Sequence, residues 1–162
     1  MAVHPILSYP DPRLRNPAAF VTVFDDALRT LAADLRDTLR HAQALGITAP
    51  HLGVPLQVVV IQLAGDAAAR TYVNPRVVSA SAETARHEEG SVSMPGFTEA
   101  LERPARIRVA YQDLQGEAHA EDSQGLLAVC HQHEIDQLDG LFWIDRLSRL
   151  KRDRLLKRYL KR

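Results

Sequence analysis

Residues 131–140 read His-Gln-His-Glu-Ile-Asp-Gln-Leu-Asp-Gly. On a helix, His133 and Gln137 stand four residues apart and share a face, with Glu134 beside them. A His-Glu-x-x-His run in that arrangement supplies two metal ligands and a general base, the chemistry of a metal-assisted hydrolase. Here Gln137 stands where the second histidine would be. The stretch has a base and one imidazole, and it is one ligand short.

A helix over about 124–138 must carry these residues, with Asp122 or Ser123 able to cap it. On its projection Leu126, Val129, Cys130, His133 and Gln137 fall on one side, while Ala128, Gln132, Asp136 and Asp139 lie opposite. His133 and Gln137 therefore sit on the apolar face, where each needs a hydrogen-bond partner to offset its burial. A pair of hydrogen-bonded core side chains is the structural alternative to a metal site. Cys130 reads as core or cleft wall, the usual place of a free cysteine. His131 projects to the far side of the helix from His133, and His87 reads as a solvated loop residue.

The rest of the chain supplies strands and a second helix. The spacing of Leu28, Leu31, Leu35, Leu39 and Ala42 predicts a helix from Asp25 to Leu45, closed by Gly46. A tight loop is expected over 46–55, then a buried strand at Gln57–Ile61. Tyr72-Val73 and Val77-Val78 suggest two short strands around a turn at Asn74-Pro75, with loop over 81–90. Ile107, Val109 and Tyr111 alternate with Arg108 and Ala110, a half-buried strand that continues through Asp113–Gly116 into a hairpin partner at 117–121. The proline-rich stretch 4–14 reads as an extended N-terminal segment. This order of elements predicts an α+β fold in one domain spanning 1–162.

Composition narrows the function classes. The 162 residues hold one cysteine, which excludes an internal disulfide framework and a multi-cysteine zinc site. No stretch approaches the roughly 20 apolar residues of a membrane span, and no charged start followed by an apolar run opens the chain. A cytoplasmic protein with no membrane partner is expected. The formal net charge is zero, but of 20 bases and 20 acids, nine bases and one acid lie in 146–162, leaving 11 bases against 19 acids elsewhere. That basic end, a helix at about 149–162 with Leu155, Leu156, Tyr159 and Leu160 as its apolar stripe, suggests a polyanionic partner.

Three stretches together resemble the signature motifs of the peptide deformylases, GxGxAAPQ, EGCLS and QHExDHLxG. They stand here as Ala44-Leu-Gly46-Ile-Thr48-Ala-Pro-His51, Glu89-Gly-Ser91-Val-Ser93 and Gln132-His-Glu-Ile-Asp-Gln137-Leu-Asp-Gly140, in the family's order and spacing. Tyr9-Pro10-Asp11-Pro12, Asn74-Pro75, Met94-Pro95-Gly96, Arg103-Pro104 and Asp145-Arg-Leu-Ser148 extend the resemblance over essentially the whole chain. It implies small antiparallel sheets around the central helix. It also implies hydrolysis of the formyl amide of N-formylmethionyl peptides at a divalent metal, natively Fe²⁺. By position the metal ligands fall at Ser91, His133 and Gln137, the general base at Glu134, and the oxyanion positions at His51 and the Val92 backbone N–H.

The departures fall on that chemistry. A neutral serine hydroxyl is a far poorer donor than a thiolate, and an amide carbonyl suits hard ions better than Fe²⁺ or Zn²⁺. Fe²⁺ or Zn²⁺ is the cofactor that the resemblance implies; the ligands present predict no tightly held cofactor. Three readings follow: a fold that keeps only a cleft for the N-terminal peptide of nascent chains; a metal site rebuilt from His51 and His133 with Ser91 or Glu134; or a Ser91 nucleophile with His133 or His51 as base. The resemblance also suggests that the basic C-terminal helix contacts the ribosome or ribosomal RNA, a contact that salt would weaken.

Overall fold

The computed structural model describes residues 2–162. Asp25 opens the first helix by accepting a hydrogen bond from the Leu28 amide, and α1 runs Asp26–His41 with Leu28, Ala32, Leu35 and Leu39 buried. It stops short of the expected Leu45 because Gln43 turns into the left-handed region at φ 54°. Gly46 does not close this helix. It begins β1 (Gly46–Thr48), and Ala49–Leu52 forms a 3-10 turn where a loop was expected. Then follow β2 (Val58–Ile61), β3 (Arg70–Ala80), β4 (Thr84–Glu89), β5 (Glu99–Pro104), β6 (Arg106–Gln112), β7 (Ala118–Gln124), α2 (Gly125–Leu138) and α3 (Arg149–Lys161).

Two expectations for the middle of the chain are corrected. The turn at Asn74-Pro75 does not divide two strands; β3 is continuous, and its register against β6 slips between Val73 and Arg76. Asn74 takes φ 51° at that slip and is held by the backbone of Val21: its Oδ1 accepts from the Val21 amide at 2.8 Å and its Nδ2 donates to the Val21 carbonyl at 2.9 Å. The polar stretch 81–90 is mostly strand, with His87 in β4 paired to Leu101 of β5. Its alternation of charge and small residues hid the strand, since only one face of β4 is sheltered.

All strand pairs are antiparallel. Five form one sheet in the order β1-β2-β3-β6-β7, and β4-β5 form a separate ribbon. The apolar run of β2 is buried on both faces. Val58 and Val60 pack with Ile47 against Leu28, Leu35 and Leu39 of α1. Val59 and Ile61 pack with Tyr72 against Cys130 and Leu138 of α2. Because directly opposed residues share a face, the pairs Gly46↔Ile61 and Thr48↔Val59 put Gly46 and Thr48 on the α2 side of β1. A second core joins Leu14, Met94, Leu101, Phe142, Trp143 and Ile144 to Leu155 and Tyr159 of α3.

Helix α2 is therefore enclosed on nearly every side, including the Ala128–Gln132–Asp136 face. The strand β7 runs into it directly, so neither Asp122 nor Ser123 caps it; Gln124 precedes it with no side-chain cap. Ser123 instead bonds back to His131 at 3.0 Å.

Candidate active site

The three motifs converge on a cavity of about 350 Å³ between α2, β1 and the segment after β4. Ser91, Val92, Cys130, His133 and Glu134 line it, together with the apolar Leu45, Met94, Phe97, Leu126 and Val129. His51 is fully buried on the α2 side of β1 and is not part of that lining. At Gly46, β1 passes close against the helix: a Cβ there would sit 2.9 Å from Glu134 Oε2 and 3.1 Å from its Cγ. A side chain there would crowd the glutamate.

His133 is oriented by a buried chain of charges. Its Nδ1 bonds Glu89 Oε1 at 2.9 Å; Glu89 takes two hydrogen bonds from Arg103, at 2.6 and 3.0 Å. Arg103 also donates to Asp136 at 2.9 Å, and Asp136 receives a fork of two bonds from Arg146. These groups come from β4, β5, α2 and the turn before α3, so one network ties the second core to the site. Nδ1 being engaged, His133 offers its Nε2, which lies 4.0 Å from Glu134 Oε1. Burial disfavours charge on His133, but the carboxylates of Glu134 and Glu89 outweigh it and raise its pKa. Burial raises the pKa of Glu134, opposed by the charge of His133. Burial also raises Glu89, yet its bonds from His133 and Arg103 leave it below the ordinary carboxylate value.

The side chains at the two other positions that the resemblance assigns to metal ligands bond to backbone groups. Gln137 is buried and donates from Nε2 to the Leu14 carbonyl at 2.7 Å, pinning the N-terminal segment to α2. Ser91 Oγ accepts from the Ser93 amide at 3.1 Å, a bond within its own turn. No hydrogen bond joins Ser91 to His133 or His51 among the described residues, so the pairing that a serine nucleophile requires is not formed. His51 is fixed from behind: Thr48 N donates to its Nδ1 at 3.0 Å, and Thr48 Oγ1 lies 2.9 Å from the same nitrogen. Its Nε2 is buried without a partner. Burial, and then the charge of His133, hold the His51 pKa down to about 3, so the ring is neutral.

Cys130 is buried, and burial with the nearby Glu134 and Glu89 charges pushes its thiol up to about 12, leaving it no thiolate character. His131 lies away from the cavity, its ring 4.6 Å edge-on to Tyr72. Among the described residues, three His, Cys, Asp or Glu donors come within 4.8 Å of one another only at Asp113, Glu117 and His119 on the β6–β7 turn, a group that includes no residue of the cavity.

Arg103 and Asp136 were visible in the sequence only as members of motifs, without a role. Their partners lie 14 and 33 residues apart in the chain, and no local spacing announces such a pairing. Thr48 likewise stood in a motif without a role. Its signal was an N-terminal capping residue three positions before a polar side chain, which does mark a reciprocal turn.

A family model described as polypeptide deformylase matches residues 3–153. The chain is 60% identical over 161 residues to the "peptide deformylase-like" protein of Brucella suis biovar 1 (strain 1330), covering 99% of this chain and 98% of that one. It is 40% identical over 164 residues to a "peptide deformylase" of the same organism, covering 99% and 94%. The crystal structure of a peptide deformylase from Legionella pneumophila matches with a TM-score of 0.93 at 38% identity, covering 99% of this chain and 95% of that one. Motifs, fold and cavity thus agree with sequence similarity along the whole length, and the chain belongs to the polypeptide deformylase family.

Proposed function

We propose that this chain keeps the deformylase fold and its cleft for a peptide N-terminus but has lost metal-dependent removal of the formyl group. The observation that carries the reading is Gln137. Its amide N–H is committed to the Leu14 carbonyl, in a position where the family chemistry calls for an imidazole. With Ser91 a neutral hydroxyl, one strong donor atom is left, His133 Nε2. Catalytic zinc sites rest on three protein ligands, and this donor set does not fit Zn²⁺ or Fe²⁺. The apolar lining, with Glu134 and His133 at its inner end, suits a side chain and the chain end attached to it. In Brucella suis, a "deformylase-like" relative exists beside a "deformylase", a division that leaves such a chain free of the hydrolytic duty.

The competing reading is an active amidohydrolase with a metal held by His51 and His133. Elemental analysis after exposure to Fe²⁺, Zn²⁺ or Ni²⁺, run beside an assay on an N-formylmethionyl peptide, separates the two. Far less than one equivalent of metal and no turnover are expected. Stoichiometric, chelator-sensitive metal with turnover would reverse the conclusion. If only the ligands have changed, the triple variant Ser91→Cys, Gln137→His, His51→Gln regains metal and some activity.

The basic face of α3 adds a partner to this reading. Arg154, Lys157, Arg158 and Lys161 are exposed and line a groove with Lys151 and Glu99. Such a face fits the phosphates of ribosomal RNA, which would bring the cleft near nascent chains.

A further inference from the structure

The segment 91–98, which joins β4 to β5, lies between the cleft and α3. Its Ser91, Val92, Met94 and Phe97 line the cavity. Two of these side chains also meet the helix. Met94 is buried in the core that holds Leu155 and Tyr159, and the Phe97 ring stands edge-on to Tyr159 at 5.3 Å. The wall of the cleft is thus part of the seat of α3. The next residue, Glu99, opens β5 and is drawn to the helix by Lys151, with Nζ 3.9 Å from Oε1.

Glu99 faces two ways electrostatically. It lines the groove of α3 beside Lys151, Arg154, Lys157, Arg158 and Lys161, so an anion entering that groove gains the cations but competes with Glu99 for Lys151. Across the ribbon, Glu99 is the direct partner of Glu89, the carboxylate that aims His133. Opposed residues share a face, and like charges there are unfavourable. Each of the two carboxylates has its own cation, Arg103 for Glu89 and Lys151 for Glu99.

We propose that the Lys151–Glu99 pair is a latch, and that a polyphosphate seated in the groove of α3 opens it and so shifts the 91–98 wall of the cleft. A partly exposed pair at this distance is worth at most about fivefold in an equilibrium constant, so several phosphates drawn to the cations of the groove outweigh it. Once Lys151 turns to phosphate, Glu99 stands uncompensated between that anion and Glu89. The start of β5 relieves the repulsion by moving away, and Phe97 and Met94 follow it. Occupancy of the groove and the shape of the cleft are then linked, and such linkage is reciprocal. The inference rests on the reading of the basic face as a phosphate-binding surface.

The chain holds two methionines, Met1 and Met94, so labelling with ¹³C-methyl methionine puts a probe in the wall itself. Comparison with Met94→Leu assigns its signal. Inorganic tripolyphosphate, titrated into the intact chain at low salt, should shift the Met94 methyl signal in step with binding. Potassium chloride of equal ionic strength should not reproduce that shift. Glu99→Gln should bind tripolyphosphate about two- to fivefold more tightly, the worth of one such charge. In Glu99→Gln and in Lys151→Met alike, the Met94 signal should start near the anion-bound position of the natural chain and move little on titration. These variants change the net charge in opposite directions, so their agreement would exclude a mere field effect. A Met94 signal unmoved at saturation, or moved equally by chloride, would refute the latch. Absence of tripolyphosphate binding would instead bring down the phosphate-surface reading itself.

Discussion

At the scale of single residues, the site is held by contacts that leave no slack. Arg103 carries the anions Glu89 and Asp136 while almost wholly buried, and removing a partner from such a group leaves an uncompensated charge in low dielectric. The Glu89 carboxylate aims His133, so the orientation of the one strong donor in the cleft depends on the β4–β5 ribbon that carries Glu89. Gly46 is the sharpest steric point. Gly46→Ala would place its methyl group 2.9–3.1 Å from three atoms of Glu134, including the Cγ that cannot swing away freely. A cost of about 1–3 kcal/mol is expected from the overpacking. In the Glu134→Ala background the same change should cost less than about 0.5 kcal/mol, because the atoms it meets are gone. Chemical unfolding of the four chains in this cycle measures the difference. Equal costs in both backgrounds would show that β1 simply shifts to admit the methyl.

At the scale of elements, α2 is a polar helix placed in the interior, and its polar groups act as fasteners. His131 bonds Ser123 of β7, Gln132 reaches the Pro104 carbonyl at the end of β5, and Gln137 holds the N-terminal segment. Burial, with the Arg70 charge adding to it, lowers the His131 pKa to about 4. The unfolded chain takes up this proton below about pH 6.5 while the folded one resists until about 4, so stability should fall as pH drops across that window. One proton of difference corresponds to about 1.4 kcal/mol per pH unit. His131→Gln should flatten the acid-side decline by up to that slope in urea titrations between pH 6.5 and 4.5, while parallel curves for the two chains would exclude the assignment. The same features explain what was legible in the sequence. The α1 stripe, β2 and the β6–β7 hairpin have one period or one apolar run, and each reads cleanly. The helix α2 was placed by its motif, but the burial of its Gln132–Asp136 face was not legible, since these look like surface residues until Pro104, Arg103 and Arg146 are brought to them. Motif spacing singled out Ser91, His133 and Glu134, which line one cavity, and also His51 and Gln137, which stand outside its lining. The commitment of Gln137 to Leu14 was not legible, because it depends on where a segment 123 residues away lies.

At the scale of the whole molecule, α3 has two separate jobs on two faces. Leu155 and Tyr159 are buried in the second core, and the Tyr159 hydroxyl donates to the Tyr9 carbonyl at 2.5 Å. Leu160, expected in the apolar stripe, is 72% exposed, so the docked face is narrower than the sequence suggested. Deleting 149–162 therefore removes core as well as charge. Losing one buried leucine and one buried aromatic ring costs on the order of 5–10 kcal/mol by large-to-small substitution values, comparable with the whole stability of a domain. Such a truncation should fail to fold, whatever the helix binds. Charge reversal on the exposed face isolates the docking question: Arg154→Glu, Lys157→Glu and Lys161→Glu leave Leu155 and Tyr159 in place. The triple variant should keep the far-UV spectrum and unfolding midpoint of the natural chain to within about 1 kcal/mol, as surface changes do. Co-sedimentation with ribosomes at low salt should weaken by at least about tenfold, and the slope of log affinity against log salt should fall by roughly 0.7–0.9 for each phosphate that the helix no longer neutralises. Undiminished co-sedimentation with an unchanged slope would assign the basic face to solvent alone.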